Sequence, residues 1–187
     1  MTNQLILFPK LEDVFNQITE RHSEVFMPVV SIPKALINKN WEGYFHILQF
    51  NEDPYNRETV KYFTEYCTDA MISFTISDGK YDFDTDLGYF DVTDDWKEYQ
   101  IETKEKFERS KKDFLSNGNQ FNIAEIKIGG EPEWWQGDAT PKDPSGNKMI
   151  FVTEIDTYPF CEDSCDKKIY VFYSHEHNLI VHLYQIT

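Results

Sequence analysis

The sequence predicts an α+β fold: largely antiparallel sheet, organised as two repeated sheet units, with a few surface helices. Three observations predict it. Aromatic residues, which favour strands, make up 16% of the chain, with 15 Phe and 11 Tyr. Two turn signals, Ser77-Asp78-Gly79-Lys80 and Glu176-His177-Asn178, each lie next to apolar runs of strand length. Finally, Tyr44-Phe45-His46-Ile47-Leu48-Gln49-Phe50-Asn51 lines up with Met149-Ile150-Phe151-Val152-Thr153-Glu154-Ile155-Asp156, and each is followed by a second apolar strand, at 70–77 and 168–174. The 187 residues therefore read as a single domain carrying an internal duplication, 27–93 and 121–187, joined by a helix over 95–115.

The elements follow in order. Leu11, Val14, Phe15, Ile18, His22 and Phe26 recur at helical spacing, and Pro9 and Pro28 bracket the run, which predicts a helix over 10–26. Met27 to Ile37, broken by Pro28 and Pro33, reads as irregular. Residues 43–50 form a nearly continuous apolar run, a strand buried on both faces. Asp53-Pro54 is a helix start, which places a short helix over 54–66. Strand 70–77 follows, with more strand around 81–92. Asp95 and Glu98 make a capping box for the long helix, which Asn117-Gly118-Asn119 ends. Its apolar stripe is thin (Tyr99, Phe107 and Phe114), as in a helix lying on the surface. Strands are expected over 121–128, 148–156, 168–174 and 179–186, with polar loops at 137–147 and 157–167.

Charge excludes some partners. The chain has 33 acidic and 18 basic residues, a net charge of −15. Nucleic acid is an unsuitable ligand, because its affinity comes from neutralising phosphates. An anionic membrane surface is excluded on the same ground, and no run approaches the length of a membrane helix. A basic protein is the partner such a field steers. The N-terminus has no basic region or cleavage site of a signal peptide, and three cysteines make no disulfide framework. Both point to the cytoplasm.

The chain has no sequence motif for catalysis. GxSxG and HExxH are missing, and Cys67 before a strand reads as a core thiol. Cys161, Cys165, His175, His177 and His182 are zinc-type residues. Their CxxxC spacing and the hairpin between the histidines favour a polar tip and reduced cysteines, so no metal and no cofactor are expected. The alternative is a domain stabilised by zinc through these residues. Asp82-x-Asp84-x-Asp86-x-Gly88 only approximates a calcium loop, since the glycine comes one position late and Thr93 stands where a glutamate is needed. With Asp91, Asp94 and Asp95 it reads as a solvated acidic stretch and a docking surface for a cationic partner.

Ile128-Gly129-Gly130-Glu131-Pro132-Glu133-Trp134-Trp135-Gln136-Gly137-Asp138 is the densest stretch. The glycine pair turns the chain, and Glu131 and Glu133 repel phosphate. In an extended segment Trp134 and Trp135 point to opposite faces, one structural and one a contact residue. The binding candidates are thus Glu133, Trp134, Trp135, Gln136 and Asp138 with Asp82, Asp84, Asp86, Asp91 and Asp94.

The Gly129-Gly130-x-Pro132-x-Trp134-x-Gln136 stretch, the strand ending Glu154-Ile155-Asp156, and Ile169-Tyr170-Val171-Phe172-Tyr173 resemble the signature of the YwqG-like family of bacterial proteins of unknown function. Glu154 stands where that family usually has Gln. The resemblance covers about residues 124–174, and the first half matches only through Gln49. It implies an α+β fold of repeated antiparallel sheet units, distantly similar to the sheet domain of programmed cell death protein 2, a ribosomal-protein chaperone. It supplies no established catalytic residues. It also implies a binding protein, since relatives occur among candidate immunity proteins of bacterial toxin systems.

The expected function is therefore that of a non-catalytic cytoplasmic protein that sequesters a basic protein, such as a toxin domain. The alternative is a small-molecule site or enzyme between the two sheet units, with His46, Gln49, Glu154 and Asp156 as its polar groups.

Overall fold

The computed structural model describes residues 4–116, 126–158 and 167–186. Nine strands among them form two sheets, and every pairing within the sheets is antiparallel. The small sheet holds β1 (Ile6–Leu7), β2 (Phe26–Pro33) and β3 (Tyr44–Phe50) in that order. The large sheet runs β5 (Lys80–Phe83), β4 (Met71–Ser77), β9 (Leu179–Ile186), β8 (Lys167–Ser174), β7 (Ile150–Asp156) and β6 (Ile126–Ile128). Helices α1 (Leu11–Val14), α2 (Glu20–Val25) and α3 (Asp94–Ser116) complete an α+β architecture.

The first helix is broken where one continuous helix was expected. Phe15 bridges Tyr81 of β5, and the Asn16 N–H donates to Tyr81 O at 3.3 Å. Backbone groups committed to another strand cannot continue a helical ladder. Thr19 then opens α2, its N–H donating to His22 Nδ1 at 3.2 Å. The apolar stripe was read correctly in part: Val14, Phe15, His22 and Phe26 are buried, but Ile18 is exposed.

The segment expected to be irregular is β2, buried along its whole length. Its prolines are tolerated for local reasons. Pro28 sits at a bulge, where the register with β3 shifts between Pro28 and Val30, and Pro33 ends the strand. β1 pairs only with Ser31 and Val30, so neither proline owes it a donor. The predicted helix over 54–66 is a 3-10 turn, Arg57–Tyr62, and the expected strand around 81–92 stops at Phe83 before a second 3-10 turn, Leu87–Phe90. In the β4–β5 turn Asp78 and Gly79 both have positive φ, 52° and 80°, as a type I′ hairpin requires. The expected Asn117-Gly118-Asn119 stop of the long helix lies outside the described residues. The helix, Asp94–Ser116, matches the expected span of 95–115, but Asp95 lies inside its first turn rather than capping it. It buries only Thr103 and Phe107 and packs on Phe8, with ring centroids 5.7 Å from Phe107 and 5.2 Å from Phe114.

The small sheet docks on the inner face of the large one through the free edge of β3. The His46 N–H donates to Tyr81 Oη at 2.7 Å, and His182 Nε2 donates to His46 O at 3.0 Å. Lys167 Nζ reaches Asn51 Oδ1 at 3.0 Å and Phe50 O at 3.4 Å. Buried side chains of the large sheet thus do for β3 what a fourth strand would do, satisfying edge groups that cannot be left dry. Aromatic rings fill the space around these bonds, including Phe26 on Phe74 at 5.5 Å and Phe45 on Tyr173 at 4.9 Å. The two halves of the chain are not paired alike. β7 bonds to β8, whereas β3 bonds to β2 only and β4 joins β9 across the middle of the large sheet.

Candidate functional site on the outer face of the large sheet

Strand register defines what the other face of the large sheet presents. Lys127, Glu154, Tyr170, Leu183 and Met71 lie in one cross-strand row, and Asp156, Lys168 and Gln185 lie in the next. Side chains alternate along a strand, so these residues share the face opposite the small sheet. A second hydrophobic cluster covers it, built from Met149, Phe151, Tyr170, Phe172, Leu179, Val181 and Leu183.

The glycine–tryptophan stretch roofs this face. Gly129 and Gly130 take positive φ, 66° and 80°, which lets the chain leave β6 and fold over the sheet. Trp134 stacks on Tyr170 with centroids 4.5 Å apart and on Phe172 at 5.7 Å. Three polar side chains rising from the sheet hold the backbone around it. Glu154 Oε2 accepts from the Glu133 N–H at 2.7 Å, and Tyr170 Oη donates to Glu133 O at 2.9 Å. Gln185 Oε1 accepts from the Trp135 and Gln136 N–H groups, both at 2.9 Å, while its Nε2 donates to Gly137 O at 2.9 Å. An irregular segment lying on an apolar face needs such partners for its peptide groups. Glu154 also pairs with Lys168 at 3.3 Å, so a carboxylate here meets both an N–H and an ammonium.

Both tryptophans are half-buried, and they are used differently. Trp134 faces the sheet. Trp135 packs beside the Lys168 ammonium, 4.9 Å from its ring. Glu133 is exposed and pairs with Lys127 at 2.8 Å, the contact that holds its carboxyl below the usual range. Gln136 donates to Ile186 O. Asp138 accepts from the Thr140 N–H at 2.9 Å and lies 3.7 Å from Lys148.

The acidic stretch is bound locally, residue by residue. Asp82 accepts from Asn16 Nδ2 at 2.8 Å, Asp84 from Thr75 Oγ1 at 2.7 Å and Asp86 from the Gly88 N–H at 2.7 Å. Asp91 pairs with Arg21 at 3.0 Å and Asp94 with Lys97 at 2.5 Å. The four groove candidates are not brought together. His46 and Gln49 are buried on β3 of the small sheet, His46 Nδ1 lying 2.8 Å from Ser31 Oγ, whereas Glu154 and Asp156 lie on the outer face of the large sheet.

A cleft does open on that outer face, between residues 65–71 and 136–142, with a volume of about 650 Å³. Leu183 and Gln185 form its floor, Gln136, Thr140 and Lys142 one wall, and Glu65, Asp69 and Ala70 the other. Glu65 and Asp69 are exposed, and neither takes part in an ion pair among the described residues. The Ala70 wall is set from below. Ala70 has a positive φ of 61°, and its N–H donates to the buried Glu52 carboxylate, which also accepts from Tyr89 Oη and, at 2.9 Å, from Tyr184 Oη. Burial raises the Glu52 pKa, although these hydrogen bonds work against the rise.

Only Gln136 of the sequence candidates lines this cleft. Glu65 and Asp69 were missed because two isolated acids carry less signal than the run at 82–95. Tyr170 and Gln185 were missed as loop anchors because they lie 35 and 50 residues from Trp135. The one available signal was polarity: Gln185 interrupts an otherwise apolar strand end.

The titratable groups of the cleft are Glu65, Asp69, Lys142, Tyr66 and Tyr184, whereas Cys67 and the buried histidines lie elsewhere. Cys67 is buried against Ser73, and burial pushes its thiol pKa up, away from thiolate reactivity. Burial holds the His46 imidazole pKa down to about 4 and that of His182 to about 3. Among the described residues the lining of the cleft includes no His, Cys or Ser. Cys161 and Cys165 lie outside the described residues, and His182, once grouped with them, is fully buried on His46 O. Among the described residues no helix is long and apolar enough to cross a membrane.

No protein-family model, curated protein or solved structure matches the chain.

Proposed function

We propose that the protein is a non-catalytic binding protein that holds a basic segment of a partner protein in the cleft on the outer face of the large sheet. The observation that carries this reading is the cleft's rim, where Glu65 and Asp69 stand exposed beside a floor of Leu183 and Gln185. The net charge of −15 supports it, because a negative field speeds encounter with a cationic partner. The acids at 82–94 contribute to that field at long range, since local bonds occupy each of them at short range. Kinship with the YwqG-like proteins is part of the proposal and rests on the Gly129–Gln136 stretch. With it comes a cytoplasmic toxin-neutralising role, in which the basic partner is a toxin domain.

The cleft's volume is also of small-molecule size. That second reading takes a ligand with a cationic group, and it relocates the alternative site from His46, Gln49, Glu154 and Asp156 to the cleft.

The test is affinity capture from the source cells, comparing the native chain with a Glu65→Lys/Asp69→Lys variant. The expected result is a basic protein held by the native chain and lost by the variant. A basic protein held equally by both removes the cleft from the account, and capture of no basic protein removes the protein partner.

A further inference from the structure

We propose that Asp143, Glu176 and His177 form a binding site for a divalent transition-metal ion of the zinc class. One ligand atom from each side chain can be chosen so that all lie within 4.8 Å of one another. Zinc holds such atoms at bonds of about 2.0–2.2 Å, which places them roughly 3.3 Å apart in a tetrahedron. The remaining closure is small, and the flexible partners can make it.

The three residues have separate roles. Asp143 comes from the loop between β6 and β7 and is buried, 8% exposed. Its Oδ1 accepts from the Ser145 N–H at 3.0 Å and the Asn147 N–H at 2.9 Å, and its Oδ2 accepts from Ser174 Oγ at 3.3 Å. It is a fixed, oriented carboxylate. Glu176 and His177 sit on the turn between β8 and β9, exposed and half-buried respectively, and can rotate toward it. Ser145 Oγ lies 3.0 Å from His177 Nε2 and keeps the ring over the Asp143 loop.

One imidazole and two carboxylates make a mixed nitrogen–oxygen set. That set favours zinc and its first-row neighbours over magnesium, which takes oxygen and keeps its waters. Three protein ligands leave one position for water or a fourth donor. Because Asp143 and the Glu176-His177 turn belong to different segments, a bound ion ties the roof of the outer face to the β8–β9 hairpin. This inference is independent of the cleft's ligand.

The experiment uses untagged full-length protein dialysed against chelator, then titrated with Zn²⁺ by calorimetry, with metal content measured after gel filtration. The expected result is one equivalent bound, a melting temperature raised by about 5 °C at saturation, and affinity lowered by about tenfold or more in His177→Ala and in Glu176→Gln. Both substitutions are at accessible turn positions, and circular dichroism without metal verifies that the variants fold. Failure to bind stoichiometric zinc overturns the site. So does binding that both variants retain at full strength, which would place the ion on other residues such as the cysteines.

Discussion

The way β3 is docked makes the fold sensitive to acid in a calculable manner. His182 is fully buried, its Nε2 proton is committed to His46 O, and its Nδ1 has no hydrogen-bond partner among the described residues. Adding a second proton puts an uncompensated charge between the sheets, so burial holds the pKa down to about 3; His46 beside it is held to about 4. Both values lie below the ordinary 6.5 of an unfolded chain. The sign follows: the unfolded chain takes up protons first, so stability is complete above pH 6.5 and falls as pH drops toward the folded values. From pH 7 to pH 5 the two rings together remove about 4 kcal/mol of unfolding free energy, a large part of an ordinary domain's stability. Glu52 acts with the opposite sign, because its raised pKa favours the protonated folded state as pH falls, and it offsets part of the loss. His182→Gln separates the contributions, since a neutral amide can still donate to His46 O. Urea titrations followed by circular dichroism at pH 7 and pH 5 are the assay. The variant is expected to lose about 2 kcal/mol less than the native chain over this interval. An equal loss in both proteins would refute the placement of His182 as a neutral donor beneath β3.

Two further substitutions test the packing on either side of the large sheet. Trp134→Ala removes the ring that stacks on Tyr170 and Phe172 and is expected to cost about 2–3 kcal/mol in urea unfolding; a change below about 0.5 kcal/mol would mean that the roof contributes no stability. Lys167→Met leaves Phe50 O and Asn51 Oδ1 without that donor and is expected to cost about 2–3 kcal/mol by the same measurement; a neutral or stabilising result would show that this edge of β3 is satisfied without the ammonium.

Much of the fold was legible where local pattern and tertiary environment agree. β3, β4 and β7 to β9 are apolar runs bounded by turn residues, and Asp78-Gly79 marks its hairpin by the backbone angles it permits. Helix α3 was legible as a long surface helix with a thin apolar stripe, although Asp95, read as its cap, lies inside its first turn. The misses arise where tertiary structure overrides local pattern. The stripe from Leu11 to Phe26 has helical spacing, but Phe15 and Asn16 are taken by β5. β2 contains two prolines, and only its neighbours reveal that neither position owes the ladder a donor. At the site, the glycine–tryptophan stretch stood out by composition, and its role as a roof did not. That role depends on Glu154, Tyr170 and Gln185, brought together by strand register rather than by nearness in sequence. The acidic run at 82–94 drew attention by density, yet its members act locally. Asp82 and Asp84 accept side-chain hydrogen bonds, Asp86 caps a 3-10 turn, and Asp91 and Asp94 form ion pairs. The two acids on the cleft's rim are ordinary in sequence and become distinctive only beside Gln136 and the floor of β9.

The central claim is that a cationic partner enters the outer cleft, and hydrogen–deuterium exchange on the complex with the captured partner tests it most directly. The account predicts slowed exchange in residues 65–71 and 136–142, the two walls of the cleft, with 82–94 unchanged. Protection of 82–94 with the cleft walls unaffected would contradict it and return the docking surface to the acidic stretch.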